Sequence, residues 1–170
     1  HVTHATPHVR RSCKTQKWHL GFLNDTYTPT LRGFDHYLGY YAGAEEHFTH
    51  EKVGYPGPHG EKSGYTAYDL ANNSGPSVAP CVEPVGNGSA TYSSFLYGNE
   101  TLRLLAKHDP KVPLYIYLAW NNVHDPNEAP QQYVDLHTGI ADVPRRKLSA
   151  MMSVLDDTLT AVVDGFKAKG

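Results

Sequence analysis

A seven-residue apolar run, Leu114–Trp120 (LYIYLAW), stands between two stretches of helical periodicity, and this order constrains the fold more than any other feature. Pro113 and Asn121-Asn122 bound the run, and its aromatic and aliphatic filling predicts a buried strand. Upstream, Phe95, Leu96, Leu102, Leu105 and Ala106 form a partial apolar stripe that predicts a helix over Ser93–His108, weakened at Gly98. Downstream, Leu148, Met151, Met152, Leu155, Leu159, Val162, Val163 and Phe166 recur at spacings of three and four. They predict a longer helix over Pro144–Lys167, with Gly170 just past its end. Helix, apolar strand, helix is the pattern of an α/β domain with a mainly parallel sheet. The apolar run is far too short to cross a bilayer, so no transmembrane segment is expected.

The rest of the 170 residues is less regular. Residues 1–16 (HVTHATPHVRRSCKTQ) carry neither periodicity and are expected to be poorly ordered. Residues 52–92 are dominated by Gly, Pro, Asn, Ser and Tyr and read as a long loop, which in a compact domain is often functional. With 12 Tyr, 5 Phe and 2 Trp, however, the chain holds too many aromatics for a solvated coil. Lys and Arg number 15 against 17 Asp and Glu, and no basic stripe marks a nucleic-acid partner.

Compartment is read from sequons. Asn24-Asp25-Thr26, Asn72-Asn73-Ser74, Asn87-Gly88-Ser89 and Asn99-Glu100-Thr101 all match the N-glycosylation acceptor pattern and point toward the secretory pathway. Cys13 and Cys81 allow at most one bridge, and spacing does not show that they meet. Residue 1 is His, so a processed or partial sequence is expected.

Two places offer chemistry. In Lys17-Trp18-His19-Leu20-Gly21, residues two apart on an extended backbone share a side, so Lys17 and His19 can face one anionic group. The ammonium then acts as a point charge, and the imidazole can move a proton near neutral pH. His124 lies a few residues past the carboxyl end of the LYIYLAW run, where open α/β sheets bind ligands, and Asp125-Pro126 shapes the turn there. Taken alone, a Lys-x-His is most often surface decoration, and a loop His is most often satisfied by carbonyls.

Four blocks in order carry a resemblance. Lys17–Gly21 resembles the sulfatase signature G-K-W-H-L-G, with Gln16 in place of the first Gly. Pro29–Tyr40 (PTLRGFDHYLGY) is similar to the family's P-x-x-R-G-F-D-x-F-x-G-Y, and Leu114–Tyr133 to its strand, V-H-x-P and P-x-x-Y stretch. Residues 149–170 match in style the helix before the strand that carries the second pair of metal ligands. The arylsulfatase B-like, N-acetylgalactosamine-4-sulfatase group is the nearest in pattern. This resemblance implies an alkaline-phosphatase-like α/β fold, with 1–15 a divergent or poorly ordered segment and 16–170 part of the catalytic domain. It implies a sulfuric ester hydrolase acting on an aryl sulfate or sulfated glycosaminoglycan, dependent on formylglycine and calcium, in a lysosomal or secreted location. Lys17 and His124 would then bind the sulfate. His19 would take the catalytic role beside the formylglycine hydrate, and His124 would assist the leaving oxygen.

The sequence contains no C-x-P-S-R from which formylglycine is made, and neither cysteine fits that pattern. The family's metal pairs are expected outside this chain, and Asp156-Asp157 reads as solvated helix surface rather than a ligand pair. The chain is therefore expected to be inactive alone, and its last helix to expose an apolar patch that lowers solubility. Two alternatives stay open: an inactive secreted protein that binds sulfated glycans, and a metal-binding module built on His1, His4, His8, His47 and His50.

Overall fold

The computed structural model describes residues 11–53, 66–75 and 91–170. Its strands are β1 (Arg11–Gln16), β2 (His36–Gly39), β3 (Glu51–Val53), β4 (Thr66–Tyr68), β5 (Ala71–Ser74) and β6 (Leu114–Ala119). Its helices are α1 (Ser93–Lys107), α2 (Gln131–Asp135) and α3 (Val143–Lys169). Both long helices and the intervening strand lie where periodicity placed them.

The main sheet has the order β5-β2-β1-β6. β1 pairs in parallel with β2 (Cys13 opposite His36) and with β6 (Cys13 opposite Ile116), and β5 joins β2 antiparallel. β3 and β4 form a separate antiparallel pair. The stretch 52–92, expected to be one loop, therefore contributes strand at 52–53, 66–68 and 71–74. Residues 54–65 and 76–90 of this stretch lie outside the described residues.

Residues 11–15, expected to be poorly ordered, instead form most of the strand flanked by β2 and β6. RSCKTQ has no apolar run, but a strand paired on both sides satisfies every backbone group whatever its side chains. Cys13, Lys14, Thr15 and Gln16 are all buried. Residues 1–10 lie outside the described residues.

Strand alternation sorts the core. One face carries Leu38, which packs with Tyr40, Leu70 and Tyr97 under α1. The opposite face carries Tyr37, packed with Trp18, Tyr41, Ala71 and the half-buried Phe34. Lys14 shares this second face, its ammonium 3.9 Å from the Tyr117 ring centroid and 5.6 Å from that of Trp18. β6 was expected to be buried. Among the described residues it is an edge strand, and Tyr115 and Tyr117 are about half exposed, at 52% and 47%.

α3 is capped by Asp142, whose carboxylate accepts the Arg145 N–H at 2.9 Å, with Pro144 in the first turn. Ala150 and Val154 bury against Tyr92 and Tyr133. Its outer side leaves Leu148, Met152, Leu159, Val163 and Phe166 exposed. Asp156 and Asp157 are exposed as expected, and Asp157 accepts the Tyr133 hydroxyl at 2.8 Å.

Candidate active site

The carboxyl ends of β1, β2 and β6 converge, because all three strands run in the same direction. Three consecutive segments leave this edge and carry the chemistry: Lys17–His19 after β1, Tyr40–His50 after β2 and Asn121–Pro126 after β6.

The first turns sharply. Gln16 has φ 76° and His19 φ 50°, so the backbone is not extended on either side of Lys17-Trp18. The alternation expected to put Lys17 and His19 on one side is thus interrupted. Their neighbours relate them instead. The half-buried Lys17 directs its N–H to Ala119 O at 3.4 Å, at the end of β6. Trp18 and His19 donate their N–H groups to Tyr40 O (3.0 Å) and Tyr41 O (3.1 Å). The exposed His19 ring lies against Gly43, where a β-carbon would stand 2.8 Å from Cε1. A residue without a side chain is what admits the ring.

The second segment is built on buried polar groups. Asp69 accepts the N–H groups of Tyr41 and Ala42, each at 2.8 Å, and holds the backbone on which His19 rests. Glu45 is 1% exposed. Its carboxylate accepts the hydroxyls of Ser93 (3.0 Å) and Tyr97 (2.8 Å) and stands 3.3 Å from His50 Nδ1. Burial pushes the Glu45 pKa up, and His50, Tyr97 and Ser93 work against that rise. His50 gives its other nitrogen to Thr91 O at 2.9 Å, and His47 directs Nε2 to His124 O at 3.1 Å. Both histidines of the proposed metal module are thus engaged within the protein. His1, His4 and His8 lie outside the described residues.

The third segment is held at each residue that matters. Asn121 gives its N–H to Gln16 Oε1 (2.7 Å) and its Oδ1 accepts the Tyr40 hydroxyl (2.8 Å). Asn122 donates to Met151 O and accepts from Ser94. His124 donates its N–H to Asn121 O at 2.8 Å. Its side chain is exposed, and Nδ1 lies 2.9 Å from Asp125 O. A carbonyl only accepts, so this contact assigns the proton to Nδ1 and leaves Nε2 as the basic nitrogen. His124, Asp125 and Pro126 line an open depression of about 340 Å³ with Ala44, Glu45, Glu46, Glu51 and Lys52. The turn at 43–46 is therefore common ground: His19 rests at its start and His124 faces the rest. Burial raises the Glu46 pKa, and the neighbouring Glu128 carboxylate adds to the rise.

Residue patterns pointed to Lys17, His19 and His124, and to His47 only as a metal ligand, but not to Gln16, Glu45, Asp69 or Asn121. The Asn-Asn after an apolar run was read only as a strand boundary, and a buried carboxylate carries no spacing of its own.

The sulfatase family pattern matches residues 11–170. The chain belongs to the sulfatase family. Arylsulfatase J of Mus musculus is 36% identical over 154 residues, covering 91% of this sulfatase chain and 23% of that protein. An arylsulfatase of Klebsiella aerogenes is 27% identical over 150 residues, 84% of this chain and 29% of that protein. The sulfatase chain thus spans about a quarter of the length of these curated relatives. The crystal structure of Ps i-CgsB in complex with k-i-k-neocarrahexaose superposes with a TM-score of 0.69 at 20% identity, covering 94% of this chain and 34% of that one. A second Ps i-CgsB crystal structure gives 0.68 at 22% identity with the same coverage. At that identity the likeness is one of fold, and it agrees with the α/β sulfatase fold expected above.

Among the described residues of this sulfatase chain no three His, Cys, Asp or Glu side chains converge to hold a metal ion. These residues do not fit the calcium site implied by the resemblance. Cys13 is buried in β1, where burial first, then Asp35, raises the thiol to about 11. Burial and the raised pKa make it a poorly reactive core thiol. Cys81 lies outside the described residues. Within the described residues no helix is long and apolar enough to cross a membrane.

Proposed function

We propose that this chain forms the Lys/His wall of a sulfuric ester hydrolase site of arylsulfatase type, acting on an aryl sulfate or a sulfated glycosaminoglycan. One observation carries the reading. Lys17 and His19 leave β1, and His124 leaves the parallel neighbour β6, all at the ligand-binding edge of an open α/β sheet.

In this reading the Lys17 ammonium meets a sulfate oxygen as a point charge. The His19 imidazole would accept a proton from a nucleophile supplied beside it. His124 is oriented by its contact with Asp125 O and, when protonated, presents Nε2–H to the oxygen that leaves with the S–O bond. Fixed donors of this kind typically contribute about 3–4 kcal/mol each to transition-state stabilisation. Formylglycine would supply the nucleophile and calcium the polarising charge. The sequence carries no C-x-P-S-R, and no metal-ligand cluster stands among the described residues; in this reading the chain alone binds sulfate esters without turning them over.

Asn24, Asn72 and Asn99 are exposed and remain proposed glycosylation sites. Asn87 is proposed with them but lies outside the described residues. Attachment there would accord with a lysosomal or secreted destination.

Titration with 4-nitrophenyl sulfate, followed by NMR and by release of 4-nitrophenol with calcium present, tests the reading. Shifts centred on Lys17, His19 and His124, weakened at least tenfold by Lys17→Ala, are expected without turnover. Binding unaffected by Lys17→Ala overturns the assignment. Turnover that Lys17→Ala abolishes overturns the claimed inactivity.

A further inference from the structure

We infer that His47 is a positioning residue for His124: it fixes the backbone from which the candidate catalytic imidazole projects, without itself reaching substrate. The catalytic meaning rests on the reading proposed above, whereas the geometric claim does not.

His47 is fully buried, at 0% exposure. Its Nε2 lies 3.1 Å from His124 O. Since a carbonyl only accepts, Nε2 carries the proton and Nδ1 is a bare lone pair. Nδ1 is buried and, among the described residues, has no hydrogen-bond partner. A second proton on Nδ1 would therefore be a buried donor without an acceptor. Burial accordingly lowers the pKa of this histidine, and the ring is neutral. A neutral ring with one fixed donor suits a strut, and a ring locked neutral cannot shuttle protons.

The strut is anchored at its own end. The His47 N–H donates to Glu128 Oε2 at 2.9 Å, and its carbonyl accepts the Ser93 N–H at 2.8 Å, at the start of α1. The ring stacks on Tyr92, with centroids 5.2 Å apart and planes 12° apart. The Tyr92 hydroxyl in turn donates to Glu128 O at 2.9 Å. His47 therefore grips the β6-to-α2 connection twice, at His124 by its side chain and at Glu128 by its backbone. With the His124 N–H already on Asn121 O, both polar backbone groups of His124 are fixed, and its exposed imidazole has a set point of departure.

Two substitutions separate donor from ring. His47→Phe keeps a flat ring on Tyr92 but cannot donate, while His47→Gln places an amide donor near the position of Nε2. Amide exchange at His124 is expected to rise at least tenfold in His47→Phe, with the α1 amides unchanged, and to return to within about threefold of wild type in His47→Gln. In parallel, the 4-nitrophenyl sulfate shift at His124 should shrink in His47→Phe while that at Lys17 persists. Unchanged exchange in His47→Phe, or equal loosening in both variants, overturns the assignment. Ring ¹⁵N shifts of the unmodified protein at pH 7 give a test that needs no variant. A neutral ring protonated at Nε2 is expected, and a proton on Nδ1 overturns the inference. If wild-type His124 ignores the aryl sulfate while these exchange and tautomer results hold, only the proposed function falls.

Discussion

Thr158 on α3 crosses Gly98 on α1 so closely that a β-carbon at residue 98 would lie 2.4 Å from Thr158 Cγ2. The glycine that weakens the apolar stripe of α1 is thus what lets α3 pack on it. Gly98→Ala gains about 1 kcal/mol of intrinsic helix propensity, yet the β-branched Thr158 has little freedom to yield. A net destabilisation of about 1–2 kcal/mol is expected in urea melts. Adding Thr158→Ser, which removes the methyl and keeps the hydroxyl bonded to Val154 O, should recover most of it. Additive losses in the double variant would show that the two residues do not meet.

Lys14 is 1% exposed on the face opposite α1, with Tyr117 and Trp18 as aromatic neighbours, and burial lowers its pKa to about 8. The unfolded chain holds this proton up to about 10.5. Between those values the unfolded state binds more protons, so stability rises with pH from about 8 to about 10.5. Lys14→Met should raise stability at pH 7 by about 1–2 kcal/mol, the relief of a buried charge outweighing a cation–π contact. It should also flatten the alkaline rise. Thermal melts at pH 7 and 10 measure both, and a Tm lowered at pH 7 would contradict the account.

Glu100 behaves in the opposite sense. Burial works to raise its carboxyl, but Arg103, with two bonds of 2.6 Å, and the His36 ring, 2.7 Å away off the hydrogen-bond direction, outweigh that and hold it at about 2. Its contribution is fully present above about 4.5 and is lost as pH falls toward about 2. Because the Arg103 side chain is 46% exposed, the contribution is screened to about 1–2 kcal/mol. Glu100→Gln should remove that part of the acid dependence in circular-dichroism melts between pH 5 and 2.

Asp69 is the acceptor for two adjacent backbone N–H groups, those of Tyr41 and Ala42. Asp69→Ala leaves both without that acceptor and should cost about 2–4 kcal/mol, whereas Asp69→Asn keeps one and should cost less. Because His19 bonds to Tyr41 O, Asp69→Ala should also broaden the His19 ring signals in NMR spectra. Sharp His19 signals in a folded Asp69→Ala protein would argue against that coupling.

The outer face of α3 exposes Leu148, Met152, Leu159, Val163 and Phe166 on one helix. Concentration-dependent self-association is expected in sedimentation velocity, and Leu159→Lys with Phe166→Lys should suppress it. A monomer at all concentrations would show that this face is not adhesive.

Periodicity by itself determined α1, β6 and α3, because an amphipathic helix or an apolar strand must repeat its burial along the chain. Local motifs likewise singled out Lys17, His19 and His124 as candidates, through the family pattern they match. Three-dimensional structure decided the rest. RSCKTQ becomes a flanked strand because β2 and β6 supply backbone partners on both sides, which no side-chain pattern records. Among the described residues β6 pairs only with β1, at the sheet edge, a matter of strand order rather than of its own composition. Glu45, His47, Asp69 and Asn121 hold the candidate site through bonds spanning tens of residues, and such partners come together only once the chain has folded. Residue type suggested a candidate chemistry in advance, whereas the burial and hydrogen bonding around those residues are properties of the folded whole.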